Sequence, residues 1–496
     1  MSHNLDRNHK DKLLKSLCIF LCIPVLLYDV GTHMLLESLL PAFRLGLLLI
    51  TVLQYGILCG LREKSGGILG GLMIGYAAWL AVTRVIVDSA NDTVLLGEVL
   101  CGANMCLLFV IGTQLDAGQR KRLLDGAAIA LSCVLLLWAV WAFIVLLTDT
   151  ELIRLTERRY IFISEEPQET GILRTVQFFN VHRNESAGWY MCVVWLLISR
   201  WLSCRRKFWR IPIGAAIAVF FVMLSILHSR TVQVLTAAGA AMLVMIVLME
   251  RMKKTKLLPK IVLIGLAAVV CAGVCYKGMS LCDQVMSKLS APHMPVKQTA
   301  AQETVSPEPE IKLVLLTNTV SAPTEGTAES TEPVQPVMLS AKTEGTSDVR
   351  NFWKDLRTLT MRTEIWSGVA TAISNHRSVL LFGQPEDAVP ECLMQHGKMT
   401  RSVPHTHNMI LQIMMTAGAL GALLMTAFLV ILVIRMIRFF FGNAPAWEKT
   451  LTIPLTLLLI NGMMEPLLTE EMEFASVFFM LIAGILMGCC KETSRQ

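Results

Sequence analysis

Apolar runs about as long as a bilayer is thick recur from one end of this chain to the other, and they restrict it to one kind of fold. Crossing a hydrocarbon core of ~30 Å takes about 20 residues of helix. Runs of that kind fall near residues 14–31, 43–60, 67–87, 94–114, 124–147, 186–204, 210–228, 232–250, 257–278, 407–437, 448–467 and 473–490. Charged residues make up 17% of the 496 and hydrophobic residues 54%. Soluble domains carry about 25% charged residues, so a soluble globular fold is excluded. The fold expected is an all-α membrane protein of about twelve transmembrane helices, with a large extracytoplasmic loop between the ninth and the tenth. The run 407–437 is long enough to start outside the hydrocarbon or to tilt strongly.

The basic residues set the orientation. With the N-terminus in the cytoplasm, every inner segment is basic: Lys10, Lys12 and Lys15; Arg62 and Lys64; Arg120 to Arg122; Arg205 to Arg210; Arg251 to Lys260; Arg435, Arg438 and Lys449; and finally Lys491. The outer segments Asp88 to Asp92 and Glu465 to Glu473 are acidic. That is the inside-positive pattern, with both termini cytoplasmic. It also accounts for the formal charge of +6, so a nucleic-acid partner is not implied, and the surroundings are membrane lipids. The first span lacks a small-residue cleavage pattern and reads as a retained helix. Most of the fourteen cysteines sit inside spans as small apolar residues. Cys282 and Cys392 fall in the outer loop, where the compartment permits a disulfide.

The chain divides into 1–147, with helices one to five; 148–278, with an outer loop and helices six to nine; 279–406, the large loop; and 407–496, with helices ten to twelve. Residues 289–348 of the loop are rich in Thr, Glu, Pro, Ser and Ala and repeat TEGT, a composition that buries little and predicts disorder apart from a short strand at Ile311 to Leu316. Residues 351–377 then place Trp353, Leu356, Leu359, Ile365, Trp366, Val369 and Ile373 at near-helical spacing, which predicts an amphipathic helix along the membrane face.

In this topology four distant segments reach one outer face. They are Asn180 to Glu185, His228-Ser229-Arg230, Arg362, and His405-Thr406-His407-Asn408. Guanidinium forks neutralise phosphate oxygens and an imidazole takes a proton from a hydroxyl, which is the combination a lipid pyrophosphate donor requires. Plainer readings stand beside this one. Arg230 can snorkel to lipid phosphates, Arg362 and Trp366 can form an interfacial pair, and the two histidines can cap a helix. A two-histidine metal site lacks a third ligand at convincing spacing. Glu98, in the fourth span, belongs either to a transport path or to a buried pair with Arg84.

The order of these elements resembles the O-antigen ligase and O-antigen polymerase superfamily of bacterial polytopic membrane glycosyltransferases. The matching elements are Phe179 to Ala187 at the start of a span, Ser229-Arg230-Thr231 at a span top, and Arg362 to Trp366 in the outer loop. They continue with Leu381-Phe382-Gly383 and end in His405 to Leu411 followed by Gly418 and Gly421. The Gly-x-Gly of that pattern reads Gly383-Gln384-Pro385 here. The resemblance covers roughly residues 170 to 440 and implies a GT-C-like architecture in the bacterial cytoplasmic (inner) membrane. It implies transfer of a glycan from an undecaprenyl-pyrophosphate-linked donor to a saccharide, lipid or protein hydroxyl at the extracytoplasmic face, with inversion and without cofactor or metal. His407 is then the general base and Arg230 and Arg362 bind the pyrophosphate. His405, Asn408, Asn184, Arg183 and Arg174 are the further substrate-binding candidates. The rival reading is a lipid-linked oligosaccharide flippase, since about twelve spans is also a common transporter count.

Overall fold

The computed structural model describes residues 2–32, 40–60, 67–87, 92–148, 152–153, 159–168, 171–178, 183–252, 257–290, 362–400, 402–468 and 474–493. Helices stand at all of the apolar runs. They are α1 (Ser2–Thr32), α2 (Leu40–Gly60), α3 (Gly67–Val87), α4 (Asp92–Gln114), α5 (Ala117–Thr148), α6 (Arg183–Ser203), α7 (Lys207–Ile226), α8 (Arg230–Arg251) and α9 (Leu257–Ser290). A group of helices too short to cross a membrane follows: α10 (Arg362–Asn375), α11 (Arg377–Phe382) and α12 (Val389–Gln395). The chain closes with α13 (Met409–Phe441), the single-turn α14 (Ala446–Lys449), α15 (Thr452–Gly462) and α16 (Phe474–Thr493).

Among the described residues, eight helices are long and apolar enough to cross a membrane, and Leu13–Tyr28 and Val99–Gln114 are shorter apolar helices. The run 448–467 forms a shorter helix than its length predicts, because α14 and a turn take its start and Gly462 ends α15. The apolar window of α9 is only 11% buried. A side-chain surface that oily on the outside of a fold is what hydrocarbon covers and water does not.

The interior inverts that pattern. Helix α6 is buried on all sides from Ser186 to Leu197, so its aromatic and polar residues face protein. Trp138 lies against Trp189 at 5.4 Å and Tyr190 against Phe220 at 5.3 Å. Helices α4 and α16 approach closely through small residues, and a Cβ added to Gly484 would collide with the Phe109 carbonyl.

The segment between α5 and α6 carries strands that its sequence reading did not assign: β1 (Leu152–Ile153), β2 (Arg159–Gln168) and β3 (Gly171–Phe178), antiparallel in that order. Pairing of Ile161 with Phe178 and Ser164 with Thr175 fixes the register. It buries Ile161, Val176 and Phe178, and the Phe178 ring stacks on Trp138 at 6.0 Å. The signal was the β-branched and aromatic runs Tyr160 to Ile163 and Ile172 to Phe178, interrupted by charges.

Helix α13 is broken at Gly418, whose φ of 68° belongs to the left-handed region. A break frees backbone carbonyls, and three here have a donor from outside the helix. Gln384 N–H reaches the Met415 carbonyl at 2.9 Å, Arg84 Nη2 the Thr416 carbonyl at 2.9 Å, and Trp79 Nε1 the Ala417 carbonyl at 2.8 Å. Arg84 is wholly buried. The α11–α12 turn therefore docks onto the broken helix by backbone contact, with Gly383 (φ 74°) against Thr416 and Gly418 against Leu381.

The expected insertion 289–348, its short strand, and Trp353, Leu356 and Leu359 lie outside the described residues, apart from the last turn of α9. The amphipathic helix is described from Arg362 and ends at Asn375. Cys282 and Cys392 are free thiols, the latter buried, so the disulfide that the compartment permits does not form in this structure.

Candidate functional site

The His405-Thr406-His407-Asn408 segment is held by its own small residues. Thr406 is wholly buried. Its N–H donates to Gln412 Oε1 at 3.0 Å, its hydroxyl to the Asn408 carbonyl at 2.9 Å, and its carbonyl accepts from Trp366 Nε1 at 3.1 Å. Gln412 in turn donates to Glu386 at 3.0 Å. Asn408 is the N-cap of α13, its Oδ1 accepting from the N–H groups of Ile410 and Leu411 at 3.0 and 3.1 Å. Asn408→Ala should cost about 1 kcal/mol, the usual worth of such a cap, read as a lower unfolding midpoint in detergent.

Turning at Thr406 brings both imidazoles together, with ring centroids 4.1 Å apart and planes at 70°. His407 takes a left-handed backbone, φ 52°, a conformation in which a non-glycine residue is strained.

Glu465 is the group on which the cluster converges, and sequence reasoning did not single it out. Oε2 lies 3.1 Å from His407 Nδ1; Oε1 accepts from Arg362 Nη2 at 3.1 Å and from Asn184 Nδ2 at 3.3 Å. Asn184 Oδ1 then accepts from the Ser229 hydroxyl at 2.8 Å, and the same Ser229 oxygen caps α8. The carboxylate is thus tied to the N-terminal ends of α6, α8 and α10 and to the residue preceding Asn408. It is itself carried by the turn after α15, where its N–H donates to the Asn461 carbonyl at 2.8 Å and Asn408 Nδ2 reaches the Met463 carbonyl at 3.4 Å.

Burial pushes the Glu465 carboxyl upward, but the His407 hydrogen bond and the positive potential of His407, His405 and Arg362 outweigh it and hold the group below its ordinary value. A depressed carboxyl favours the fold when ionised. Its contribution is present above the ordinary carboxylate range and is lost as pH falls through the lowered pKa. Being a carboxylate, Glu465 only accepts, so His407 Nδ1 carries the shared proton and Nε2 is the ring nitrogen left to face away from Glu465.

The remaining expected residues divide. Arg362 and Asn184 are in the cluster, and Asn408 supports it as a cap. Arg362 and Trp366 both turn inward, to Glu465 and to the Thr406 carbonyl, instead of anchoring an interfacial helix. Arg183 opens α6, half-buried, one residue before Asn184. Arg230 opens α8 beside Ser229 but stays exposed, and among the described residues it has no ion pair or hydrogen-bond partner through its side chain. Arg174 stands on β3 opposite Glu165, its side chain outside the described residues. Arg84 bonds the broken helix at Thr416, while the side chain of Glu98 is outside the described residues.

The fold and the cluster together define a multi-pass helical membrane protein with an imidazole, a carboxylate and a guanidinium joined at one end of its helices. Comparison with models of known protein families gives no match, and none of the curated proteins compared matches the chain.

Proposed function

We propose that the protein is a glycosyltransferase of the O-antigen ligase and polymerase type, moving a glycan from undecaprenyl pyrophosphate to an acceptor hydroxyl. The observation that carries the reading is the Glu465 hub, which orients His407 through Nδ1 and leaves Nε2 to accept a proton. The acceptor oxygen attacks the anomeric carbon and its proton passes to His407 Nε2. The bond from that carbon to the pyrophosphate oxygen breaks with its electron pair, and the configuration inverts. Arg230, unpaired among the described residues, and Arg362 are suited to receive the negative charge of the leaving group, beside the positive ends of α6 and α8.

The full architecture in this reading is twelve spans, both termini cytoplasmic, and the site at the extracytoplasmic face of a bacterial inner membrane. Repeat-unit polymerisation is preferred over ligation, since no particular lipid or protein acceptor is indicated. One observation favours the flippase reading, namely the discontinuous helix α13, a trait of transporters. Transporters use freed carbonyls to hold ions or substrate, whereas those of Met415, Thr416 and Ala417 are already occupied by protein donors.

The test is the purified chain in nanodiscs with an undecaprenyl-pyrophosphate-linked oligosaccharide. Release of undecaprenyl pyrophosphate with lengthened glycan supports the polymerase form, and transfer onto a separate acceptor the ligase form. Movement of intact donor across the bilayer without cleavage would replace the proposal by the flippase. In the same assay Arg230→Ala should raise the donor KM about 10- to 100-fold, the worth of one charge-assisted contact, with a smaller change in kcat.

A further inference from the structure

The hub groups two imidazoles and a carboxylate from segments far apart in the chain. One ligand atom from each of His405, His407 and Glu465 lies within 4.8 Å of the other two. Two histidines and one glutamate are a known ligand set for open zinc sites, which leave a fourth position for water or substrate. Tetrahedral coordination at about 2.0–2.1 Å requires ligand atoms about 3.4 Å apart. His407 Nδ1 and Glu465 Oε2 are already 3.1 Å apart, so the remaining closure is a small movement of side chains.

Part of the outer shell that a metal site needs is also present. Ligation through one carboxylate oxygen leaves Oε1 held by Arg362 and Asn184, and the loop bearing both imidazoles is fixed by the buried Thr406 and by Trp366. No third ligand was visible in the sequence around the two histidines; Glu465, 58 positions from His407, supplies it.

We infer that His405, His407 and Glu465 form a binding site for a divalent transition-metal ion of the zinc class, and that an ion held there suspends proton transfer by His407. The second clause rests on the transferase reading; the first does not. The chemistry proposed for transfer needs no ion, so the site acts as a brake. Arg362 opposes the ion's charge across the shared carboxylate, which places the affinity below that of dedicated structural zinc sites.

The experiment uses the full chain in detergent, stripped with a chelator and titrated with Zn²⁺ alone by calorimetry, with Co²⁺ absorption to report geometry. The expected result is one ion per chain, tetrahedral cobalt bands, and binding weakened at least about 10-fold by His405→Ala and by Glu465→Gln. Glu465→Gln preserves volume and a carbonyl for Arg362, and so tests the ligand set even where His405→Ala fails to fold. The double substitution His376→Ala with His396→Ala removes the other close imidazole pair, with centroids 4.5 Å apart, and should leave binding unchanged.

Absence of saturable binding, indifference to both ligand variants, or loss of binding on removing His376 and His396 would overturn the site. In a second arm Zn²⁺ at saturation should stop glycan transfer and chelation restore it, and unchanged turnover by the zinc-loaded protein refutes the brake. A chain that transfers nothing with or without zinc sinks the transferase reading, and the binding arm then decides the metal site by itself.

Discussion

Substituting His407 by alanine should lower turnover of the lipid-linked donor about 10²- to 10⁴-fold, the usual contribution of a positioned base, with little change in donor KM. In cells the surface glycan should collapse to single repeat units, or remain stranded on its lipid carrier if the acceptor is not another repeat. Glu465→Gln should cost less, about 10-fold or more in kcat, since a neutral amide still fills the space but no longer holds the Nδ1 proton. The informative variant is the double one. Glu465 touches His407 at 3.1 Å, and a residue that works by orienting the base has nothing to orient once the ring is gone. His407→Ala with Glu465→Gln should therefore be no slower than His407→Ala alone. Full additivity would show that Glu465 acts through Arg362 instead, to which it is bonded at 3.1 Å.

The second large effect is structural. Gly418→Ala places a methyl group where the Leu381 carbonyl already lies, in a backbone conformation with φ 68°. With ψ at −175° the conformation is one that glycine alone adopts readily, so a non-glycine residue there costs about 1–3 kcal/mol from its backbone alone, and forcing apart packed main chains adds roughly 1–3 kcal/mol. The variant should show a sharply reduced level of folded protein in the membrane, and any purified fraction a lower thermal midpoint in detergent. Trp79→Phe, which removes one donor to the same break, should cost only about 1 kcal/mol. A Gly418→Ala protein as stable as Trp79→Phe would mean that the break is soft.

The eight helices long and apolar enough to cross a membrane were legible because apolar runs of bilayer length have few other solutions, and His407, Arg362 and Asn184 meet where helix ends were placed on one face. What the sequence hid has physical reasons. Glu465 lies in a turn after a short helix, within a segment read simply as acidic and outer, and only tertiary packing brings it against His407. The hairpin was hidden by the charged residues that interrupt its β-branched and aromatic runs; Ile161, Val176 and Phe178 are buried among its described side chains. Gly418 was noted as a pattern residue, yet nothing local says that the helix breaks there. That information sits in Trp79 and Arg84, more than 300 positions earlier, which supply the donors that a break demands.

The docking of the α11–α12 turn has a bearing on how such a protein diversifies. The small apolar core of the short helices α10 to α12, built from Ile365, Val369, Val379, Val389 and Leu393, includes Met415 of α13, and the Gln384 amide ends on the Met415 carbonyl. This cap is therefore not a portable module. Expressed as a soluble fragment it would lack part of its own interior, and grafted onto another bundle it would meet no broken helix to receive it. On the transferase reading, new acceptor preferences would arise by changing side chains on the surface of the cap, while the seam beneath is inherited whole.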